Sequence, residues 1–473
     1  MFERVNKIFK GVLSMILNRQ DIAKELEIKI AMNNDMANAI ELWCNMYSNN
    51  PPWLDDETKT MGLPGAIANE LARLVTIEFK SEISNNELLN KTYQDLISVL
   101  RINTEYACAK GGIVFKPYFY NGNIEIDIVQ QDNFLPVSYT STGEITAAVF
   151  LETKIVEDKK YTRIEYHEFK DDNYTIKNYA YVKNNTVMMD KSLGKRVNLN
   201  SIQEWEDLEE EINVKNAKKP FFSYFKIPQA NQIDSNSPLG VSVFAKSTGL
   251  IKEADKQYSR ILWEFEGTEL AIDVSEAIFS RDSEGNLKIP KGKERLFRTY
   301  PWEDKENKKN FNPFSPSIRD VNLFNGLNKF LRKIEFNCGL AYGTLSETED
   351  VSKTATEIKA SKQRSFSTVK DIQKALQDAL KDLIISMADI ANYYNIPVKD
   401  IDIDKDVSFD WDDSIIVDKD ADLESMRNDV AAGILRAELY LAKKYGVSEE
   451  EALKMMPKTG DSLKNNPLDS LEE

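Results

Sequence analysis

Residues 340–394 contain the stretch that decides the fold, a polar loop followed by a long amphipathic segment. The loop reads AYGTLSETEDVSK at 341–353, and the segment opens with TATEIKASKQRSFSTVKDIQKALQDALKDL at 354–383. From Val369 onward, apolar residues recur in steps of three and four at Ile372, Leu376, Leu380, Leu383, Met387, Ile390 and Tyr394. This spacing predicts one buried stripe on a helix. A helix of about 40 residues spans roughly 60 Å, more than a compact domain needs, which indicates a large assembly.

Length and composition are those of a folded protein with several domains. The 473 residues suffice for about two to four domains. Apolar residues make up 42% of the chain and charged residues 29%, as in folded proteins. The chain contains no run of 18 apolar residues, so no membrane-spanning helix is predicted. The net charge of −16 argues against a general attraction to nucleic acid but leaves a local basic patch open.

The three cysteines, Cys44, Cys108 and Cys338, lie far apart and lack CxxC spacing. An odd number of isolated cysteines indicates neither a disulfide framework nor a zinc site. We expect buried free thiols in a reducing cytoplasm.

The first 18 residues, MFERVNKIFKGVLSMILN, mix basic and apolar residues. Lys7 and Lys10 interrupt the apolar run and no small-residue cleavage site follows, so no signal peptide is predicted. The helical spacing of the apolar residues predicts a packing or interaction helix, with a helix on a membrane surface as the alternative.

The rest of the chain divides by its periodicity into helical and sheet regions. Residues 21–110 are predicted to be mainly helical, and alternating apolar residues from Gly111 to Val182 predict a mostly antiparallel sheet. Asn121–Gly122 is a strong hairpin-turn signal within that sheet. Two predicted helices, at Val241–Glu266 and Ile318–Cys338, then flank a β-rich insert of about 50 residues, as in a stalk with a tip.

The C-terminal part is predicted to contain a strand at Ile401–Trp411 followed by helices at Asp420–Gly433 and Arg436–Tyr445. From Lys458 onward the chain is polar, and we expect a disordered tail. The fold class is therefore α+β.

Motifs of enzyme chemistry are missing from the sequence. No P-loop, G-x-S-x-G or H-E-x-x-H pattern occurs, and the single histidine, His167, is expected to be structural. The acidic run IDIDKDVSFDWDD at 401–413 is spaced like a calcium loop, but Val407 occupies the position that requires glycine. We interpret its acids, including Asp402, Asp404 and Asp410, as the solvated face of an edge strand and expect no metal, cofactor or catalytic residue.

Two segments are basic in an otherwise acidic chain. Residues 281–310 contain nine Lys and Arg against six Asp and Glu, and residues 353–381 contain seven against three. Such enrichment suits contact with phosphates or with an acidic partner, although a charged run is more often only a solvated face.

Several segments together resemble the portal proteins of long-tailed (siphovirus-like) bacteriophages, particularly those of Gram-positive hosts. The front segments are WCNMYSNNPPW at 43–53, LPGAIANELARLVTIE at 63–78, GGIVFKPY at 111–118 and DNFLPVSYTSTGEI at 132–145. The more specific ones are LAYGTLSETEDVSKTATEI at 340–358 and DDSIIVDKDADLESMRNDVAAGILRAELYLAKKYGVSEEEA at 412–452. The likeness extends over most of the chain.

The resemblance implies a fold with wing, stem, clip and crown regions. Residues 1–240 would form the wing, as a helical front and then a sheet. The stem would consist of helices at 241–266 and 318–340, with the clip between them at 267–317. These regions would be followed by a tunnel loop at 341–353, a long helix entering the wing at 354–400, a wing strand at 401–420, and a small crown with a disordered tail at 421–473.

The resemblance also implies function: a ring, generally of twelve subunits, at one capsid vertex, whose channel conducts double-stranded DNA during packaging and ejection. Implied partners are the terminase large subunit, head-completion or connector proteins, and the major capsid and scaffolding proteins, with the virion and the host cytoplasm during assembly as locations. Because tightly held phosphates would stall DNA, contacts in the channel should be weak. The candidate residues for the channel are Thr344, Ser346, Glu347, Asp350, Lys353, Lys359 and Arg364. The candidates for partner docking on the clip are Lys288, Lys291, Lys293, Arg295 and Arg298.

Other interpretations stay open at the level of sequence. A nuclease that uses Asp402, Asp404 and Asp410 with magnesium is one alternative. A structural ring of a defective prophage or gene-transfer particle is a second, and a membrane-bound scaffold is a third.

Overall fold

The computed structural model describes residues 19–184, 192–206, 208–276, 279–281, 287, 297–300, 311–347, 355–411 and 419–456. The chain forms two compact units, one ending at Asp410 and a smaller one beginning at Trp411.

Three helices form the front of the larger unit: α1 (Asn34–Tyr47), α2 (Leu63–Val75) and α3 (Glu87–Lys110). Asparagines at the N-caps of α1 and α3 accept backbone N–H groups that these helices would otherwise leave unpaired. Helix α3 ends at Gly111, whose φ of +103° only glycine adopts without strain. The mainly helical front predicted from the sequence is confirmed.

The strands of the larger unit are largely antiparallel. Strands β2 (Gly112–Tyr120) and β3 (Asn123–Gln130) join at Asn121–Gly122, where both residues have positive φ angles, so the predicted hairpin turn is confirmed. The other strands up to residue 226 are β1 (Lys80–Ile83), β4 (Phe134–Tyr139), β5 (Ile145–Val156), β6 (Lys159–Lys170), β7 (Asn173–Asn184), β8 (Lys195–Val197), β9 (Glu211–Lys215) and β10 (Ser223–Lys226). One sheet has the strand order β10-β2-β3. A second has the order β4-β5-β6-β7-β8, with β9 also paired to β7.

His167, which was expected to be structural, is buried in the second sheet within a network of polar side chains. Its Nε2–H donates to Glu165 at 2.6 Å and its Nδ1 accepts from the Tyr174 hydroxyl, which corresponds to a neutral imidazole. Burial lowers the pKa of His167 despite the opposing effect of Glu165. Burial alone would raise the pKa of Glu165, but Lys116, Arg163 and His167 together hold it well below its usual range.

A helical hairpin with a small sheet between its arms follows these sheets. Helix α4 (Thr248–Gly267) packs against α5 (Asp320–Cys338), and the Arg319 guanidinium donates two hydrogen bonds to Glu264 where the end of α4 meets the start of α5. Between them lie β11 (Ala271–Ser275), β12 (Phe297–Tyr300) and β13 (Phe311–Phe314), with β11 parallel to β12 and antiparallel to β13. The predicted arrangement of helix, β-rich insert and helix is therefore present.

The first helix of this hairpin begins later than the predicted Val241. Residues 241–244 are buried and non-helical, because Val243 N–H donates to the Cys108 carbonyl at 2.9 Å and Ser242 also bonds there. Gly240 packs so closely that an added Cβ would lie 2.1 Å from the Gly111 carbonyl oxygen. Tertiary pairing with the end of α3 thus outcompetes helix formation at this point.

The long helix is α6 (Ala355–Tyr393), with 39 residues. Its predicted apolar stripe is confirmed, since every position from Val369 to Ile390 in that stripe is buried. It packs on α2, β2 and β10, and Ser223 of β10 donates to the Ala379 carbonyl at 2.6 Å. Tyr394, the last position of the predicted stripe, is instead partly exposed. Its ring stacks on that of Phe119 with 4.1 Å between the ring centroids.

The predicted strand at 401–411 is only partly a strand. Asp402 caps a single helical turn, Ile403–Asp406, by accepting the Asp404 N–H, and strand β14 (Val407–Asp410) follows and pairs with β1. The acids before Val407 therefore lie on a capped turn rather than on the face of a strand.

The smaller unit contains α7 (Lys419–Ala431), α8 (Ala437–Tyr445) and α9 (Glu449–Met455). Ser448 and Glu451 form a reciprocal capping box at the start of α9. The two predicted helices are present, with a third after them. The predicted N-terminal helix and disordered tail lie outside the described residues.

Candidate functional site

The first half of the polar loop is organised by one carboxylate, that of Glu335 in the last turns of α5. This side chain has no exposed surface. Its Oε1 accepts the backbone N–H groups of Gly343 at 3.1 Å, Leu345 at 2.6 Å and Ser346 at 2.8 Å, and its Oε2 accepts the Ser346 hydroxyl at 2.8 Å. Four donors thus converge on one buried charge, which otherwise costs several kcal/mol to bury.

The end of α5 also contacts the long helix directly. Gly339 ends α5 in the left-handed region with φ +73°, and Leu340 N–H donates to the Glu335 carbonyl at 2.9 Å. A Cβ on Gly339 would lie 2.2 Å from Thr368 Oγ1 of α6. Glycine is therefore required both for the backbone turn and for the close approach of α6.

Arg364 of α6 contacts two aromatic rings, one on α5 and one in the loop. Its Cζ lies 4.4 Å from the centroid of Phe336 and 5.3 Å from that of Tyr342. Arg364 Nη1 is buried and makes no hydrogen bond within the described residues, so ring contacts dominate its surroundings. We call Glu335, Gly339, Thr368, Arg364 and the loop residues 341–347 the loop joint.

The channel candidates occupy different positions in and around the loop joint. Thr344 is exposed and donates to the Ala341 carbonyl, and Ser346 is buried against Glu335. Glu347 is exposed, and its backbone exchanges two hydrogen bonds with Asn328 of α5. Asp350 and Lys353 lie outside the described residues, as does the side chain of Lys359, although its backbone belongs to α6.

Of the clip candidates, the structure describes only Arg298. It donates to Asp273 on the neighbouring strand at 2.7 Å, and its guanidinium lies 3.9 Å from the Phe314 ring centroid. Arg298 therefore ties the three strands of the insert together. Lys288, Lys291, Lys293 and Arg295 lie outside the described residues.

The acidic run at 401–413 is engaged in local contacts. Lys405 pairs with Asp402 at 2.6 Å and lowers the pKa of that carboxyl, and Asp406 accepts the Asp402 N–H. Within the described residues, no group of three His, Cys, Asp or Glu side chains is placed to hold a metal ion. Asp412 and Asp413 lie outside that part.

The front loop is fastened to α4 through a second buried carboxylate, that of Asp255. It accepts the indole N–H of Trp53 and the backbone N–H of Met61, each at 2.9 Å. Burial raises the pKa of Asp255, and these donors oppose the rise only in part. Sequence reasoning missed both Glu335 and Asp255; a carboxylate at an apolar position of a helical repeat is the signal that would have found them.

Apolar side chains at the distal end of the helical hairpin are unusually exposed. Trp263 is 68% exposed and Val321 66%. Leu270, Ile318, Phe265 and Phe324 are exposed as well, and the rings of Phe265 and Phe324 lie 6.3 Å apart. Such a patch, which we call the hairpin patch, is typical of a surface that another chain covers.

Comparison with known protein families decides the identity of this fold. The family model described as phage portal protein, SPP1 Gp6-like, matches residues 71–462. The chain belongs to this portal protein family. The match includes the sheets, the helical hairpin, the loop joint and the long helix, and no curated protein matches the chain.

Membership confirms the resemblance to phage portal proteins and the α+β class. The family is generally structural rather than enzymatic, and it implies a homo-oligomeric ring associated with the capsid and with DNA at a virion vertex. Among the described residues, no helix of this portal protein has the length and apolar content needed to cross a bilayer.

Proposed function

We propose that this portal protein forms a ring, of twelve subunits in the virion, whose channel conducts double-stranded DNA during packaging and ejection. The family match over 71–462 is the observation that carries the proposal. The helical hairpin would be the stem, its β-rich insert the clip, and the loop joint the base of the tunnel loop.

The hairpin patch supports self-association. Exposed Trp263 and Val321 are poorly suited to solvent, and burying a side chain of this size contributes about 1.5–3 kcal/mol. In a ring, each copy would cover this patch with the next copy, a head-to-tail contact that closes by rotation. Trp263→Asp should then prevent ring formation, measured by mass photometry and negative-stain images. Ile155→Asp, at the exposed tip of a wing hairpin, is the matched control and should form rings normally.

Transient contact with DNA is proposed for the exposed residues of the loop and its flanks. Thr344 and Glu347 are exposed in the described part of the loop, and Asp350, Lys353 and Lys359 follow them in sequence. A mixture of acids and a few bases would keep DNA centred without holding it. Neutralising Lys353 and Lys359 should reduce DNA retention; unchanged packaging and retention would contradict this assignment.

Docking of partners is proposed for the clip. Lys288, Lys291, Lys293 and Arg295 would contact the terminase large subunit during packaging and head-completion proteins afterwards, while Arg298 would hold the clip sheet together. Reversing the four charges should abolish terminase binding in a pull-down without affecting rings. The major capsid and scaffolding proteins would surround the wing, in the host cytoplasm during assembly and at the vertex of the virion.

One experiment tests the core of the proposal. Purified protein should appear in negative-stain images as rings with a central hole, and heads assembled with these rings should protect DNA from nuclease. Persistent monomers under all assembly conditions, or magnesium-dependent DNA cleavage by the purified chain, would contradict it; the latter would favour the nuclease alternative at Asp402, Asp404 and Asp410.

A further inference from the structure

We propose that Glu335 and Arg364 are positioning residues, which fix the loop base at 341–347 to both helices that the loop connects. The effect on DNA rests on the proposed function of the loop, whereas the positioning itself does not. Glu335 belongs to α5, Arg364 to α6, and between them they contact Tyr342, Gly343, Leu345 and Ser346.

The Glu335 carboxylate dictates the backbone of the loop base. Three backbone N–H groups within residues 343–346 donate to this one charged acceptor, and hydrogen bonds to a charged acceptor are stronger than those between neutral groups. Only a backbone that aims these three N–H groups at one point satisfies the buried charge, as in other backbone nests around anions. Loop conformations that turn them away leave the carboxylate buried and unpaired, and are therefore excluded.

Arg364 holds the loop base from the side of the long helix. Its planar guanidinium contacts the rings of Phe336 and Tyr342, so it links the last turns of α5 with the first residues of the loop. A cation over an aromatic ring is attracted by the ring quadrupole, and more strongly when it is desolvated. Lysine keeps the charge but lacks the planar group that stacks on both rings.

The two contacts have a consequence for the exposed loop residues. Thr344 lies between Gly343 and Leu345, both of which bond Glu335, and Glu347 directly follows Ser346. Neither residue can shift while the loop joint is intact. The joint thus sets where these side chains stand relative to the stem helix and the long helix.

Hydrogen exchange on assembled rings tests the positioning. Glu335→Ala should accelerate amide exchange at residues 343–346 at least tenfold, because the N–H groups lose their acceptor. Glu335→Gln, which keeps one carbonyl oxygen, should restore most of the protection. Arg364→Lys should accelerate exchange around Tyr342. Glu266→Ala and Arg260→Lys, exposed positions on α4, are the matched controls and should leave the loop unchanged.

A packaging assay tests the functional consequence. Rings of Glu335→Ala and Arg364→Lys should assemble as the wild type does, yet yield at least fivefold fewer DNA-filled heads, with Glu335→Gln intermediate. Unchanged loop exchange in both variants overturns the positioning, and normal DNA filling with a loosened loop overturns its consequence for DNA. If wild-type rings themselves fill no heads, the proposed function fails, and the exchange data alone decide the positioning. Should Glu335→Ala fail to assemble, Arg364→Lys carries the same measurements.

Discussion

The contact between Gly339 and Thr368 allows the packing of α5 on α6 to be tested quantitatively. Gly339→Ala places a residue with a Cβ at φ +73°, which costs about 1–2 kcal/mol. The new Cβ would also lie 2.2 Å from Thr368 Oγ1 and 3.0 Å from Thr368 Cβ, and overpacking of this kind costs about 1–3 kcal/mol. The Thr368 hydroxyl donates to the Arg364 carbonyl at 3.2 Å, which opposes its rotation out of the way. We therefore expect a total cost of about 2–5 kcal/mol.

Thr368→Ala separates the two contributions. It removes Oγ1 and the methyl group, so the clash with the new Cβ at position 339 is largely relieved while the backbone strain remains. The double variant should be less destabilised than the sum of the single variants by about 1–3 kcal/mol, since the two residues are in contact.

Native-state hydrogen exchange at the Leu340 amide is the suitable assay, because a chain with two compact units does not unfold in one step. Gly326→Ala, in the middle of the same helix and with only Gln257 Nε2 at 3.9 Å from the added Cβ, is the control and should be neutral or stabilising. If the effects of Gly339→Ala and Thr368→Ala were additive, or if Gly339→Ala cost less than about 1 kcal/mol, the close packing of α5 on α6 would be refuted.

Two further predictions concern the region that precedes α4. Lys110→Met should destabilise the larger unit by about 3–5 kcal/mol, because it leaves Asp132 buried without the lysine at 2.7 Å; Lys110→Met with Asp132→Leu should recover part of this loss in urea unfolding. The sheet that contains His167 should also be acid-labile: the native state binds fewer protons than the unfolded state where the pKa values of His167 and Glu165 are lowered, so stability is present at neutral pH and falls as pH drops below about 6.5. His167→Gln should weaken this dependence between about pH 6.5 and 5, measured by thermal unfolding at each pH.

Periodicity predicted the elements whose stability is local or depends on one buried face. The hairpin at Asn121–Gly122 follows from turn chemistry, and α6 follows from a stripe whose members from Val369 to Ile390 are all buried. At residues 241–244 the same apolar spacing was misleading, because Val243 N–H bonds the Cys108 carbonyl near the end of α3 instead. No local pattern reports a partner such as Cys108, which lies 134 positions before Ser242.

The loop joint could not be predicted for a related reason. The apolar spacing around Glu335 signals that this carboxylate is buried but not which groups it bonds, and Arg364 is one base in a basic segment, which would ordinarily face solvent. In the fold, Glu335 is fully buried against the loop, and the Arg364 guanidinium contacts two rings. Ser346 and Arg364 are channel candidates from the sequence, and the structure places Ser346 against Glu335 and Arg364 against Phe336 and Tyr342.

A continuous line of packed contacts connects α5 with the β10-β2-β3 sheet. Glu335 holds the loop base, Arg364 joins the loop base to α6, and at the other end of this helix Tyr394 stacks on Phe119 of the β2–β3 hairpin. About 30 residues separate Arg364 from Tyr394, which corresponds to about 45 Å along the helix. Packed interiors have low compressibility. A displacement of α5 that moves the loop joint must therefore also move α6 or break the contacts of α6 with β2 and β10. Glu335→Ala would interrupt this line of contacts at the loop base while leaving the β10-β2-β3 sheet folded. We therefore expect this variant to assemble rings normally but to fill fewer heads with DNA.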